Sequence, residues 1–253
     1  MKNYAECCII KEKPGGQAMI TEYPEFAEIF NKENLPVSEE QYGQFKKYAA
    51  LLVEWNQKMN LTAITDKYGI TVKHFLDSVL PLKFIDIPDG ASLIDVGTGA
   101  GFPGIPLKIM RPDIKLTLLD SLNKRVNFLS EVCKALDLEV PCVHARAEEF
   151  GRNENYRERY DFSAARAVAA MPVLAEYCLP YVKIGGAFAA LKGRNENYKD
   201  SENAIKILGG EFFIVTEYSL PDGDKRTLIC VRKIKETSEK YPRNSGQISK
   251  KPL

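Results

Sequence analysis

One stretch, LIDVGTGAGFPG at residues 93–104, constrains the fold more than any other part of the 253-residue chain. It has the pattern of a buried strand that contains an acid, Asp95, followed by alternating glycines and a helix start. Gly97, Gly99 and Gly101 permit backbone conformations closed to other residues and let a ligand lie against bare main chain. In an open α/β sheet, a loop of this kind after the first strand is where a nucleotide binds.

The glycine pattern fits two kinds of ligand. Gly99, Gly101 and Gly104 match the G-x-G-x-x-G signature of NAD-dependent enzymes, in which a pyrophosphate lies at a helix N-terminus. Asp95, however, stands two residues before the first glycine, where a carboxylate repels phosphate but suits an amino group and a sulfonium. The stretch therefore resembles the first motif, D-x-G-x-G-x-G, of the class I S-adenosylmethionine (SAM) methyltransferases. An NAD-dependent reductase stays open as the alternative.

From residue 91 onward, strand and helix signals alternate, which is typical of an α/β fold with a largely parallel sheet. We predict strands at 92–96, 115–120, 139–144, 160–165 and 186–191, and helices at about 103–110, 122–136, 171–181 and 199–208. Two last β segments, 212–218 and 226–233, are close enough to form an antiparallel hairpin. The pattern predicts a Rossmann-like, seven-stranded methyltransferase sheet, whereas a dehydrogenase would continue with further βαβ units and a substrate domain.

The chain divides into four predicted segments. Residues 1–18 lack periodicity, and we expect a flexible extension upstream of a natural start at Met19. Residues 19–90 form an N-terminal helical segment, with one helix that begins at the Ser38 capping box and another over about 68–84. Residues 91–234 form the SAM-binding domain, and residues 235–253 form a basic tail. The tail is expected to be frayed and solvated, or alternatively an arm that binds RNA phosphates with Tyr241 stacked on a base.

Composition limits the protein's partners. A net charge of +1 excludes a uniformly basic protein but permits a local basic patch. No apolar run approaches the ~18–20 residues of a membrane span. Six cysteines without C-x-x-C spacing predict reduced thiols in the cytoplasm, and two histidines exclude a His-rich metal site. We expect a monomer that binds no metal and no membrane.

Residues that follow the first three strands are placed to hold a nucleoside. Asp120 ends the second strand about 20 residues beyond the glycines, where a carboxylate meets ribose hydroxyls. Ala147 and Glu148 follow the third strand and are placed to frame an adenine through backbone groups. Phe102 is placed to pack on the methionine portion of SAM.

The residues after the fourth strand decide which acceptor the enzyme methylates. They are Ala164 to Val168, AARAV, and contain no Asn-Pro-Pro-Tyr-type clamp for an exocyclic amine. Cys142 falls in the third strand, far from the position of a nucleophile for pyrimidine carbon. Guanine N7 has an available lone pair and needs no general base. We therefore predict that Arg166 and Lys192, at strand ends, act as positioning groups that hold phosphates or the cofactor carboxylate.

Eight motifs occur in a fixed order along the chain: W-N-x-x-x-N-L-T (55–62), H-F-x-D-S (74–78), DVGTGAGFPGIPL (95–107), LLDSLNKRVNFL (118–129), RAEEF (146–150), ARAVA (165–169), ALKG (190–193) and YPRNSGQISKKPL (241–253). Together they resemble the bacterial glucose-inhibited division protein B (RsmG) family over about residues 20–253. The resemblance implies a SAM-dependent enzyme that methylates N7 of one guanine in the decoding-region loop of 16S ribosomal RNA, free or in the small ribosomal subunit.

The resemblance also implies cofactor contacts at Gly97, Phe102, Ala147, Glu148 and Arg166. To these the loop and strand patterns add Asp95, Gly99, Gly101 and Asp120. Residues placed to contact RNA are Asn60, His74, Lys192, Arg243, Lys250 and Lys251. A non-catalytic RNA-binding protein on the same fold is a further alternative, disfavoured because the acids and glycines of the loop are intact.

Overall fold

The alternating segments form a mixed sheet with strand order β3-β2-β1-β4-β5-β7-β6. The structure, a computed structural model, describes residues 19–166, 169–194 and 197–253. The predicted extension at 1–18 lies outside the described residues. The strands are β1 (Ser92–Val96), β2 (Lys115–Asp120), β3 (Cys142–His144), β4 (Tyr160–Arg166), β5 (Val182–Lys192), β6 (Gly210–Ser219) and β7 (Lys225–Lys233).

The pairing of these strands confirms the predicted class of sheet. β1 to β5 pair in parallel, whereas β7 runs antiparallel to both β5 and β6. The bounds of β1 and β2 are as predicted, β3 is shorter and β5 is longer. β1 is central and buried on both faces: Leu93 packs into one hydrophobic cluster, and Ile94 and Val96 pack into the other.

The helices pack on both faces of the sheet. They are α1 (Tyr23–Asn31), α2 (Glu39–Asn56), α3 (Lys67–Gly69), α4 (Asp77–Val79), α5 (Gly104–Met110), α6 (Asn123–Ala135), α7 (Ala147–Phe150), α8 (Met171–Cys178), α9 (Glu202–Ile207) and α10 (Ser245–Lys250). The predicted capping box at the start of α2 is present, because Ser38 Oγ accepts from Gln41 N and Gln41 Oε1 accepts from Ser38 N. α1 was not predicted, although Phe26, Ile29 and Phe30 lie on one buried face at helical spacing.

The second predicted helix is present but departs from α-helical pitch in two places. Between α3 and α4 the chain forms a π-helical stretch, Ile70–Leu76, and after α4 it tightens into a 3₁₀ turn, Leu80–Lys83. Sequence periodicity assumes 3.6 residues per turn and does not show such changes. A π turn shifts the side chains that follow it around the helix axis, and such turns are frequent at functional sites. Here it contains His74 and leads directly into Asp77.

The C-terminal tail is packed against the domain, which corrects the expectation of a frayed terminus. Tyr241 is 7% exposed and Ile248 is fully buried, so the tyrosine is not available to stack on a base. Arg243 holds the fully buried carboxylate of Glu176 in α8 through Nη2–Oε2 and Nε–Oε1 contacts of 2.6 and 2.9 Å. The apolar residues of the tail are separated by Pro, Gly and Ser and show no periodic face, so no sequence pattern indicates this packing.

The Arg243–Glu176 pair predicts that the tail supports folding. Arg243→Ala leaves a buried carboxylate without its cation, which should lower the free energy of unfolding by about 3–5 kcal/mol. Lys250→Ala, at an exposed site on the same tail, should change it by less than about 0.5 kcal/mol. Urea denaturation of both variants and the parent chain measures the difference. Equal stability of the three proteins would contradict an anchored tail.

Candidate active site

The glycine loop lies at the carboxyl end of β1, at the edge of the sheet where the parallel strands end. Gly97, Gly99 and Gly101 have φ angles of +69°, +62° and +98°, in the left-handed region that favours glycine. The loop is tied to β2 because Gly97 N and Thr98 N donate to the Leu119 carbonyl at 2.8 and 3.1 Å. It therefore presents a fixed strip of main chain beside the end of β2.

Asp95 lies beneath this loop. Its Oδ2 accepts from Thr98 Oγ1 at 2.6 Å and from Gly104 N at 2.8 Å, which joins the two ends of the loop. The carboxyl group is fully buried, and burial raises its pKa to about 6. Its Oδ1 is buried and has no hydrogen-bond partner among the described residues. The predicted contact of Asp95 with a ligand stays a prediction. Its role in holding the two ends of the loop together is not evident from the sequence.

Asp120 ends β2 directly opposite the loop. Its Oδ2 accepts from Gly99 N and its Oδ1 accepts from Leu122 N, both at 2.9 Å. Arg125 Nη1 lies 3.5 Å from Oδ2. The carboxylate is thus fixed at the mouth of the loop, and each oxygen keeps one lone pair for a further donor such as a hydroxyl.

Three adjoining cavities follow the carboxyl edge of the sheet. The first, here called the β3-side cavity, has a volume of about 150 Å³. Its lining includes four residues predicted from sequence and Tyr177 of α8: Gly97, Asp120, Ala147, Glu148 and Tyr177. The Ala147 carbonyl is held by the hydroxyl of Tyr181 at 2.6 Å, which fixes the start of α7 at this cavity.

The second cavity, the central cavity, has a volume of about 380 Å³ and shares Gly97 and Asp120 with the first. Phe102 lines it and packs against several neighbours, of which His74 and Arg166 also line the cavity. The ring of His74 is stacked on it with 4.6 Å between centroids, and Arg166 Cζ lies 4.6 Å from the Phe102 centroid. Phe102 is thus held in place between the glycine loop and the N-terminal helices.

The third cavity, the β5-side cavity, has a volume of about 280 Å³ and shares His74 and Arg166 with the central one. The rest of its lining consists of Lys73, Asp77, Leu191, Lys192, Gly193 and Arg226. Lys192 ends β5, and its Nζ donates to the Ala169 carbonyl at 2.5 Å. The two predicted positioning groups, Arg166 and Lys192, therefore line one cavity.

Arg166 lies at the junction of the central and β5-side cavities. Its Nη1 lies 3.2 Å from the Lys73 carbonyl and from Ser78 Oγ, 3.4 Å from the His74 carbonyl and 3.5 Å from Asp77 Oδ2. Burial lowers the pKa of the guanidinium, and the negative charge of Asp77 opposes that shift. The side chain therefore joins the end of β4 to the π-helical stretch.

His74 is a neutral member of this junction. Burial and the positive charge of Arg166 lower its pKa to about 3. Its Nε2 lies 2.7 Å from Thr62 Oγ1, and Asn56 positions that threonine by accepting from Leu61 N and Thr62 N at 2.8 and 2.9 Å. The W-N-x-x-x-N-L-T motif thus includes a structural asparagine, Asn56, whose backbone contacts fix the end of the motif.

Four predicted RNA contacts lie away from the three cavities. Asn60 is exposed, although its neighbour Leu61 lines the central cavity. Arg243, Lys250 and Lys251 line a separate hollow of about 460 Å³ on the tail. Among the described residues, no group of three or more His, Cys, Asp or Glu side chains is arranged to hold a metal ion, and no helix is long and apolar enough to cross a membrane.

The residues that connect the β5-side cavity to the last two strands are not evident from the sequence. Asp77 receives contacts from Arg226 of β7 and Tyr218 of β6, which are distant in sequence. The H-F-x-D-S motif contained Asp77, but no local pattern pointed to its partners. Such contacts depend on how β6 and β7 return beside β5.

The row of cavities has the features that SAM requires. A Cβ added at Gly99 would point into open space, so a ligand can approach the main chain there. A Cβ added at Gly104 would instead meet Leu118 Cδ2 at 2.6 Å and Asp95 Oδ2 at 2.8 Å, inside the core. Asp120 offers acceptors where ribose hydroxyls are expected, and the unpaired Asp95 Oδ1 is compatible with a cationic ligand nearby. The residues present therefore fit the cofactor.

A seven-stranded sheet with an antiparallel last pair, and this cavity row at the carboxyl ends of β1, β2 and β3, define a class I SAM-dependent methyltransferase. Residues 41–229 match the model of the GidB family, described as rRNA small subunit methyltransferase G. The chain belongs to this family. It is a SAM-dependent methyltransferase, which decides against the NAD-dependent reductase and the non-catalytic RNA-binding protein.

Individual relatives agree with the family match. The chain is 53% identical to Ribosomal RNA small subunit methyltransferase G of Acetivibrio thermocellus over 220 residues, which cover 86% of this chain and 90% of that protein. It is 52% identical to the protein of the same name from Clostridium botulinum, over 87% of this chain and 93% of the relative. Among solved structures, a geranyl diphosphate methyltransferase shares the fold with a TM-score of 0.50 and 10% identity, over 63% of this chain and 77% of that one.

The glycines of the loop predict separable effects on binding and folding. Gly99→Ala places a methyl group in open space at the cavity, so SAM affinity should fall at least ~10-fold, with about 1 kcal/mol lost from stability through the positive φ. Gly104→Ala forces its methyl group against the core and Asp95, so it should mainly destabilise the fold. Calorimetry with SAM and urea denaturation measure the two effects. Unchanged SAM affinity in Gly99→Ala would contradict the assignment of this cavity row.

Buried His74 predicts a pH dependence of stability. The unfolded chain binds a proton on this residue near pH 6.5, but the folded protein does so only near its pKa of about 3. Stability due to His74 is therefore complete above pH 6.5 and falls as the pH drops, with a slope that approaches about 1.4 kcal/mol per pH unit. His74→Gln should remove this contribution to the slope, whereas His144→Gln, at an exposed site, should keep it. Urea denaturation at pH 7 and pH 5 measures it, and equal slopes in all three proteins would contradict a neutral His74.

Proposed function

We propose that this enzyme transfers a methyl group from SAM to N7 of a guanine in the decoding-region loop of 16S ribosomal RNA, free or within the small subunit. The relatives named Ribosomal RNA small subunit methyltransferase G support the RNA class. The choice of N7 rests on one observation: among the described residues, the ionisable side chains that line the β5-side cavity are four cations, a neutral histidine and one carboxylate, Asp77, that contacts two of those cations.

The charges that line this cavity bear on the choice of acceptor. Lys73, Arg166, Lys192 and Arg226 are cations, and the Asp77 carboxylate contacts two of them. His74 is neutral, and with a pKa of about 3 it has little tendency to take a proton. An exocyclic amine or a hydroxyl benefits from a base that removes its proton, whereas N7 already carries a free lone pair. The cavity therefore favours N7 of a purine.

The residues of the other two cavities are assigned to the cofactor. Gly97, Gly99 and Gly101 provide the main-chain surface, with Asp95 beneath it. Asp120 accepts from the ribose hydroxyls, Ala147 and Glu148 frame the adenine, and Phe102 packs beside the methionine portion. When bound, SAM supplies a methyl group on a positively charged sulfur, and methyl transfer moves that positive charge to the acceptor.

Arg166 and Lys192 act as positioning groups rather than as acids or bases. Arg166 borders both the central and the β5-side cavity, so it lies between cofactor and base. His74 and Lys192 are each 7% exposed, so an RNA base reaches them only after it has turned out of its loop. Asn60, Lys250 and Lys251 are exposed and are assigned to the RNA backbone. Arg243 shares the tail hollow, although its guanidinium is engaged by Glu176.

We assign the enzyme to the cytoplasm as a monomer.

Borohydride–aniline cleavage tests the acceptor atom, because it breaks RNA at N7-methylguanosine. RNA methylated by the enzyme should be cleaved at one guanine, and RNA from cells that lack the protein should not. The chemical step should change less than ~3-fold between pH 6.5 and 8.5, because no side chain gains or loses a proton. Arg166→Ala should lower activity far more than Lys250→Ala. Incorporated methyl groups without a cleavage site would contradict the N7 assignment, and a rate that rises tenfold per pH unit would reveal a base.

A further inference from the structure

Asp77 is the one carboxylate that lines the β5-side cavity in the described part of the chain. It is 4% exposed and lies at the start of α4, immediately after the π-helical stretch. Its partners come from three different strands: Arg166 of β4, Tyr218 of β6 and Arg226 of β7.

The contacts of Asp77 are long for a buried carboxylate. Its Oδ2 lies 3.2 Å from Arg226 Nε and 3.5 Å from Arg166 Nη1, and its Oδ1 lies 3.4 Å from the Tyr218 hydroxyl. A charge-assisted hydrogen bond is ordinarily about 2.7–2.9 Å long. For comparison, the Arg243–Glu176 pair of the same protein has a 2.6 Å contact. The Asp77 oxygens therefore keep acceptor capacity for a ligand in the cavity.

We propose that the Asp77 carboxylate recognises the Watson–Crick edge of the target guanine, accepting hydrogen bonds from N1–H and from the N2 amino group. This assignment rests on the proposed function and names how that site selects its base. Guanine alone among the four RNA bases presents two adjacent donors on that edge, which match the two oxygens of one carboxylate. N7 lies on the Hoogsteen edge, away from the N1–H and N2 donors, and in this orientation it faces the central cavity rather than Asp77.

The same contact favours methyl transfer to N7. The purine gains positive charge as the methyl group arrives, and the cations of the cavity would oppose that charge if they were unpaired. Asp77 offsets Arg166 and Arg226 and places negative charge beside N1–H, whose hydrogen bond to a carboxylate strengthens as the purine becomes positive. Asp77 thus acts on both selection and rate.

A comparison of guanosine with inosine tests this assignment. Inosine lacks the N2 amino group but keeps N1–H, O6 and N7. Small-subunit RNA that carries either nucleoside at the target position is assembled with its proteins and methylated by the full-length enzyme. The wild type should prefer guanosine over inosine by roughly 10- to 100-fold in kcat/KM, the range for one hydrogen bond to a charged group.

Two substitutions of the same chemical kind provide the contrast. Asp77→Asn should lower kcat/KM for guanosine at least ~10-fold. It should also bring the ratio of kcat/KM for guanosine to kcat/KM for inosine to within ~3-fold of one. Asp224→Asn removes a half-exposed carboxylate from the same charge network, outside the cavity, and should keep the wild-type ratio. Both variants should bind SAM as the wild type does. The ratio is independent of the fraction of folded enzyme, because one preparation meets both substrates.

Three outcomes would overturn the assignment: equal use of guanosine and inosine by the wild type, an unchanged ratio in Asp77→Asn, or the same loss of ratio in Asp224→Asn. If Asp77→Asn is less active but keeps the wild-type guanosine-to-inosine ratio, Asp77 has only a structural role. If Asp77→Asn does not fold, Asp77→Glu, which displaces the carboxylate by one methylene group, should also lower the guanosine-to-inosine ratio of kcat/KM, and an unchanged ratio would overturn the assignment. Failure of the proposed function is distinct, since the wild type would then leave no aniline-sensitive site at guanosine.

Discussion

The guanidinium of Arg166 is the contact on which the site depends. It lies at the end of β4 and touches the π-helical stretch through the Lys73 and His74 carbonyls, and the glycine loop through the ring of Phe102. A buried cation is costly unless acceptors surround it, so these segments are held to one arrangement by the need to solvate Arg166. The N-terminal helices and the sheet thereby become two walls of one site.

The sheet and its loop could be predicted from sequence because their signals are local. Each buried strand is a short apolar run, and the glycines of the loop fall at the positions whose φ angles are positive. Asp120 is also local in this sense, since a residue at the end of β2 must lie beside the loop that ends β1. Because the sheet topology brings these strand ends together, the position of the site can be predicted without knowledge of side-chain packing.

The rest depended on contacts between distant segments. The Arg243–Glu176 pair anchors the tail across 67 residues of sequence, and Asp77 meets Arg226 across 149. The motif around Asp95 predicts a ligand contact, but sequence does not show that the same carboxylate also braces the loop through Thr98 and Gly104. Similarly, 3.6-residue periodicity predicts a helix through His74 but not the π turn within it.

The charges of the β5-side cavity have to be compatible with the positively charged cofactor proposed for the central cavity beside it. A sulfonium cofactor beside unpaired cations would be repelled, and so would a purine that becomes positive during the reaction. The fold places Asp77 between Arg166 and Arg226, and Asp222 and Asp224 against Lys73, so that these positive charges are matched by carboxylates close by. Each paired cation then adds little net positive potential and does not oppose charge growth at the reacting atom. This pairing explains why a cavity so rich in basic residues is compatible with transfer of a methyl cation equivalent to a neutral base.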